Sequence, residues 1–392
     1  MIQNRLCFLF CACFLLLPAS AVSRAEAERD FIKGDIRTKN QIVKSCGDSV
    51  LCERAVKFAI DAHRVLGEDD EVSTLLQTSL DFLSPDSVPS ERKSSLAADI
   101  GEAFSSFASA GVKIAALDKM QYFRSLQNVA MVNDYLAYRS GISAATLVKT
   151  PMDSVSRKAV EVLGIIGNRT SFCTLLTACI SDAWPQDDKL LEKSFSDISR
   201  GCESDVMDIY QSASAGQKLK LMQILSKNTV ISKKCRGEVA QKALSDTIYN
   251  TGGISRGFVS QSDADLYVIS LETLAAVKWT QAARLATDSF DTARLSFEAR
   301  QMVSEDFAKC IIHIAEVAAD NTGQVLSLYL DFLNKGMEAG KTPVKAVLLS
   351  VIKALGGLGD KAAFDYLLYV TYLDYPSDVT KAAKVALAQL KW

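Results

Sequence analysis

Histidine is nearly absent from this 392-residue chain, which carries only His63 and His313. That shortage removes most readings built on imidazole. A Ser-His-Asp triad needs a positioned histidine, and a zinc site needs three or four ligands, yet no Cys-x-x-Cys or His-x-x-x-His pair occurs. His63 falls in a helical stretch and reads as a boundary or surface residue. His313 shares a helical face with Cys310, three positions earlier, which makes two ligands where zinc wants more. A phosphate-cradling loop is missing too, because Gly356-Gly357-Leu358-Gly359-Asp360-Lys361 has the wrong spacing and follows a helix, not a strand. No nucleophile elbow is visible. No metal or cofactor is therefore expected. Neither sign of charge dominates: 44 bases face 46 acids for a net charge of −2, so there is no electrostatic case for nucleic acid. No stretch sustains the alternation of a half-buried strand, and the expectation is an all-α fold.

The one long apolar run lies at the amino terminus. Arg5 precedes an apolar stretch from Leu6 to Leu17, closed by Pro18 and the small residues Ala19-Ser20-Ala21. This is the order of a secretory signal peptide, residues 1–21, with cleavage after Ala21 and a periplasmic destination. The run is shorter than the roughly 20 apolar residues of a membrane span. Cys13 leaves an alternative open, a lipid anchor and a membrane-bound lipoprotein, although Phe14-Leu15-Leu16-Leu17 stays apolar where such a signal turns polar. Residues 22–34 read as a flexible linker. Of ten cysteines, Cys7, Cys11 and Cys13 lie in the signal, and the odd number remaining cannot all pair internally. Cys46 and Cys52 flank a Gly47-Asp48 break, where a local disulfide is feasible in an oxidising compartment. Cys173 and Cys179 sit on one helical pattern, about 120° and 9 Å apart, and cannot bridge. With Cys202, Cys235 and Cys310 they read as small buried apolar residues.

Residues 35–150 form a helical region of their own. Leu51, Ala55, Phe58, Ala59, Ala62 and Leu66 follow three-and-four spacing up to Gly67, and Asp70 can cap the next helix. The acidic run Glu68-Asp69-Asp70-Glu71 reads as a solvated turn, since it lacks the alternating ligand spacing of a calcium loop. Pro89-Ser90 introduces another helix, with Leu96, Ile100, Phe104 and Phe107 on one stripe.

From residue 151 onward one pattern occurs twice. Leu163-Gly164-x-x-Gly167-Asn168-x-x-x-Phe172-x-x-Leu175-Leu176 returns as Leu355-Gly356-x-x-Gly359-Asp360-x-x-x-Phe364-x-x-Leu367-Leu368, every matched position displaced by 192. A pattern kept in register without a gap points to an internal repeat. Gly167 and Gly359 fall where a left-handed residue ends a helix, and Asn168 and Asp360 can cap the next. Apolar clusters around Leu225, Leu274 and Ile314, with a terminal one around Leu387, read as degenerate copies. These units resemble the HEAT-repeat family, whose alanine-rich first helix ends in a Leu-Gly-x-x-Gly-Asp type turn. The resemblance is good over residues 155–180 and 343–390, poor between them and absent before residue 151, where divergent repeats and a separate cap both remain open. It implies that residues 151–392 form an α-solenoid of stacked antiparallel hairpins, an architecture that usually binds proteins.

A second resemblance runs through the middle of the chain. Glu203-Ser204, Ser212-Ala213-Ser214-Ala215-Gly216, Leu221-Met222-Gln223 and Tyr249-Asn250-Thr251-Gly252 are similar, in order, to motifs of soluble lytic transglycosylases. It implies Glu203 as the lone acid-base, Leu221-Met222-Gln223 along a sugar groove and Tyr249 beside the acid. Lys220 stands where that family has glycine, and the spacing from Glu203 to Met222 is longer than the family's. Asn168-Arg169-Thr170 is formally a glycosylation acceptor, but Asn168 serves better as a helix cap. Tyr366, Tyr369, Tyr372 and Tyr375 form a candidate binding stripe, although three-residue steps drift around a helix. The expectation is an exported, non-catalytic scaffold that binds a protein partner in the bacterial cell envelope, with a transglycosylase-like enzyme acting through Glu203 as the alternative.

Overall fold

A computed structural model describes residues 24–141, 151–250, 252 and 256–391. Among these residues the chain is all-helical, with twenty-one α-helices and no strand beyond an isolated bridge between Asp360 and Lys391. No described helix is long and apolar enough to cross a membrane. The signal segment 1–21 and Cys13 lie outside the described residues. Contacts divide the chain into two compact units after Met131, inside the helix Leu126–Arg139.

The first unit holds α1 (Arg24–Lys33), α2 (Ile36–Cys46), α3 (Ser49–Leu66), α4 (Asp70–Phe82), α5 (Ser90–Ser106), α6 (Ala110–Met120) and the start of α7 (Leu126–Arg139). The stretch expected as a flexible linker, residues 22–34, holds α1 instead. Ala27 and Phe31 are buried there, and the ammonium of Lys39, itself buried on α2, lies over the Phe31 and Phe58 rings. Alternate helices touch, α2 on α4, α4 on α6 and α3 on α5. The cap of α4 is Asp69, one residue before the expected Asp70, because its carboxylate reaches the N–H groups of Glu71 and Val72, each at 2.9 Å.

The second unit takes in the end of α7 and continues through α8 (Ser154–Ile166), α9 (Arg169–Ile180), α10 (Asp188–Asp197), α11 (Glu203–Ser212), α12 (Ala215–Lys227), α13 (Lys233–Asn250) and α14 (Gln261–Val277). It closes with α15 (Ala283–Asp288), α16 (Phe290–Glu298), α17 (Ser304–Val317), α18 (Thr322–Glu338), α19 (Lys345–Leu358), α20 (Phe364–Val370) and α21 (Ser377–Gln389). The unit begins before residue 151 because the Arg139 guanidinium donates to Asp153 at 2.6 Å, the residue that caps α8.

Both copies of the repeat occupy corresponding places in this unit. Gly164 on α8 and Gly356 on α19 each lie against the next helix but one: a Cβ on Gly164 would meet the Ser194 Cα of α10 at 3.1 Å, and one on Gly356 the Ala386 Cα of α21 at 3.0 Å. Ser194 and Ala386 are again 192 apart, so the duplicated pattern carries a third helix that its short motif does not reveal. The two turns differ. Gly359 is left-handed (φ 68°), as expected, but Gly167 leaves α8 in an extended conformation (φ −62°, ψ 166°). Glycine is required there by crowding instead, since a Cβ would stand 2.2 Å from the Leu163 carbonyl oxygen and 2.9 Å from Ile198 Cδ1. Asn168 caps α9 in a reciprocal pair with Ser171, and Asp360 accepts from the Ala362 N–H at 2.9 Å.

Leu225, Leu274 and Ile314 fall on α12, α14 and α17, and all three are completely buried. These helices touch in sequence order, α12 on α14, α14 on α17, α17 on α19 and α19 on α21. On α19 the inward residues Val347, Leu348, Val351, Ile352 and Leu355 are all buried, each contributing about 1.5–3 kcal/mol relative to exposure. Many polar links between neighbouring elements span 31 to 42 residues, three of them the same distance. Arg169 with Asp205, Gln217 with Ser181 and Tyr210 with Asp246 each span 36 residues.

Candidate interaction surface

Two helices near the end of the second unit turn apolar side chains outward. On α18 the residues Leu326, Tyr329, Leu330 and Leu333 fill the core, which already satisfies the helix's inner stripe. Leu328 and Phe332, one turn apart, remain 54% and 57% exposed. Phe332 stacks on Tyr329 at 6.1 Å, and Tyr329 meets Phe290 and Phe307 edge-on at 5.2 and 5.9 Å. The exposed ring is thus the outer member of a buried aromatic cluster, which fixes its position at little further entropy cost. An ion pair from Lys335 to Asp331 at 2.6 Å flanks it.

The four tyrosines of the candidate stripe are split by the structure. Tyr375 is buried, donates to Asn334 Oδ1 at 3.2 Å, and has its phenol pushed up to about 12 by burial. Tyr366 is half-buried, and its carbonyl accepts from the Asn334 amide at 3.3 Å. Tyr369 is 37% exposed, its hydroxyl on Glu338 of α18, and Tyr372, past the end of α20, is 75% exposed. Leu328 and Phe332 on α18, Tyr369 on α20 and Tyr372 just past its end are therefore the exposed apolar and aromatic groups around two mutually packed helices. Such groups, beside charged neighbours, match what protein interfaces enrich. Sequence reading found the tyrosines and missed Leu328 and Phe332. Their signal was an apolar pair lying outside a stripe that was already complete.

The residues of the transglycosylase resemblance are not gathered into one site. Glu203 is exposed at the start of α11 and lines a cavity of about 310 Å³ with Phe172, Gly201, Val206 and Val230. Leu221 and Met222 are completely buried in the core of α12, so they line no groove, while Gln223 faces outward. The Glu203 carbonyl is held by the Cys235 thiol near the start of α13 at 3.5 Å. Tyr249 lies 14 residues further along that same helix, or about 21 Å at 1.5 Å per residue, and is 79% exposed. Thr251 lies outside the described residues.

His63 stacks on Phe107 with ring centroids 4.0 Å apart, and His313 bonds Glu316 at 2.9 Å. Cys310 is completely buried, with burial pushing its thiol far up, so it and His313 present no common face to solvent. Among the described residues no group of three or more His, Cys, Asp or Glu side chains is placed to hold a metal ion. Three members of the acidic run have protein partners: Asp69 caps α4, Glu71 accepts from Arg37 and Glu68 accepts from the Ala108 N–H at 2.7 Å. The seven described cysteines are all free, with Cys46 exposed and Cys52 buried, its thiol pushed up to about 11 by burial.

Comparison with protein-family models, with curated proteins and with solved structures finds no match to this chain.

Proposed function

We propose that this chain is an exported, non-catalytic scaffold, an α-solenoid of HEAT-like units that binds a protein partner in the bacterial cell envelope. The observation that carries the reading is the repeated close approach, Gly164 on Ser194 and Gly356 on Ala386, kept in register across 192 residues. Stacked repeats produce such an identity because each unit meets only its neighbour and so meets it in one way. The recurring 36-residue links and the ordered contacts from α12 to α21 support the same architecture. Alternate-helix contacts in the first unit favour divergent repeats over a separate cap. The surface that would receive a partner is the α18 and α20 face with Leu328, Phe332, Tyr369 and Tyr372. Fully buried aromatic anchors dominate protein–protein affinity, and Phe332, fixed from behind by Tyr329, is suited to that role.

The experiment places a photo-crosslinking residue at position 332 or 372 in the full-length protein expressed in its own host. The scaffold reading expects one discrete adduct whose yield falls at least tenfold on Leu328→Glu substitution, with helicity by circular dichroism unchanged. A yield unaffected by that charge overturns the assignment of this face. Fractionation of the same cells checks export, which a full-length cytoplasmic product contradicts.

A further inference from the structure

Two cysteines stand beside the place where α9 packs on α11. Arg169 opens α9 and donates to Asp205 at 2.9 Å and to the Ser204 hydroxyl at 3.3 Å. Cys173 follows Arg169 by four residues and so lies on the same face of α9, one turn along. Cys202 precedes α11 and is tied to Asp205 from the other side, its carbonyl accepting the Asp205 N–H at 3.1 Å. Both cysteines therefore stand one turn from a single ion pair, on two elements that touch. Their sequence neighbours Phe172, Gly201 and Glu203 line one space of about 310 Å³. The Cys202 charge raises the Cys173 thiol, after burial and Asp205, an influence that falls off with distance.

We infer that Cys173 and Cys202 are the partners of a reversible disulfide that staples α9 to the start of α11. The chemistry is thiol–disulfide exchange with a disulfide of the oxidising compartment, either a small-molecule disulfide or that of an oxidoreductase. Cys173 is half-buried and reachable, so its thiolate attacks one sulfur of the oxidant, forms a mixed disulfide and releases one thiol. Cys202, 4% exposed with its thiol on the Ile198 carbonyl at 3.6 Å, turns to attack the Cys173 sulfur and releases the second thiol. Two protein thiols and one disulfide thus become one protein disulfide and two thiols, with electrons and protons balanced. This pairing departs from the expectation that both residues are inert core cysteines. It needs export only for its compartment, so its test stands apart from that of the scaffold.

The test incubates the purified mature chain with oxidised glutathione, blocks remaining thiols by alkylation and digests with trypsin. The expected product joins the peptide Thr170–Lys189 to the peptide Gly201–Lys218 and separates on reduction. Because the first peptide also holds Cys179, fragmentation must place the link at Cys173. Cys173→Ser and Cys202→Ser each abolish the product, while Cys179→Ser retains it. The bond closes a loop of 30 residues, so the oxidised form is expected to gain about 500-fold in its folding equilibrium on the chain-entropy relation. Separate alkylation or glutathionylation of the two cysteines in a protein of native helicity overturns the inference. A link through Cys179 overturns it equally.

Discussion

Two adjacent glycines on α19 allow packing to be separated from backbone propensity. Gly356 and Gly357 share the helix Lys345–Leu358, so replacing either with alanine removes the same unfolded-state freedom. A Cβ on Gly357 meets nothing within 4 Å. Gly357→Ala should therefore stabilise by about 0.5–1 kcal/mol, the ordinary gain of alanine over glycine within a helix. A Cβ on Gly356 would stand 2.6 Å from Gln389 Oε1 and 3.0 Å from the Ala386 Cα and Cβ atoms of α21. The glutamine can swing aside, but the α21 backbone must shift. Overpacking of this kind costs about 1–3 kcal/mol. Set against the same propensity gain, Gly356→Ala should come out roughly neutral to 2 kcal/mol destabilised, or about 1–3 kcal/mol below Gly357→Ala. Urea unfolding followed by circular dichroism, on both variants under one condition, measures the difference. Gly164→Ala, against Ser194, should repeat the loss. Equal stability of the Gly356 and Gly357 variants would refute the close approach of α19 and α21.

Three further outcomes are expected. Asn168→Ala should cost about 1 kcal/mol through loss of the α9 cap, whereas Asn168→Asp should be close to neutral, read by thermal unfolding. Burial works to raise the Asp153 carboxyl, but the Ser156 N–H and Arg139 hold it below its ordinary 3.8; the charged form is favoured by folding. Its contribution is then complete above about pH 4 and lost as pH falls through the lowered value, so Asp153→Asn should flatten the acid limb of a stability profile. Incubation with peptidoglycan should give no anhydro-muropeptides that depend on Glu203; product lost in Glu203→Gln would overturn the non-catalytic reading.

Helix content and much of the core were legible because both depend on local spacing. The three-and-four periodicity around Leu51, Leu225, Leu274, Ile314 and Leu355 needs only the chain's own pitch, and all five side chains are buried. The 192-residue repeat was legible for the same reason, since it is a comparison of the sequence with itself. Caps at Asn168 and Asp360 were readable from residue type and position. What decided Gly167 was different: in its extended conformation a Cβ would crowd the Leu163 carbonyl and Ser171 close by and also Ile198, a residue 31 positions away that no local pattern specifies. Likewise α1 forms over residues that look like a linker, because Phe31 finds Lys39 on a neighbouring helix.

The sequence by itself determined that the chain is helical, where most helices bury their stripes and which unit recurs, because those properties follow from the pitch of one helix. Only the tertiary structure decided which helix each stripe meets, that Leu328 and Phe332 face outward, that Glu203 and Tyr249 lie at opposite ends of α13, and that Arg169 and Asp205, each one turn from a cysteine, pair across α9 and α11. Those placements depend on contacts between residues tens of positions apart, and the spacing within a single helix carries no information about its neighbour's rotation.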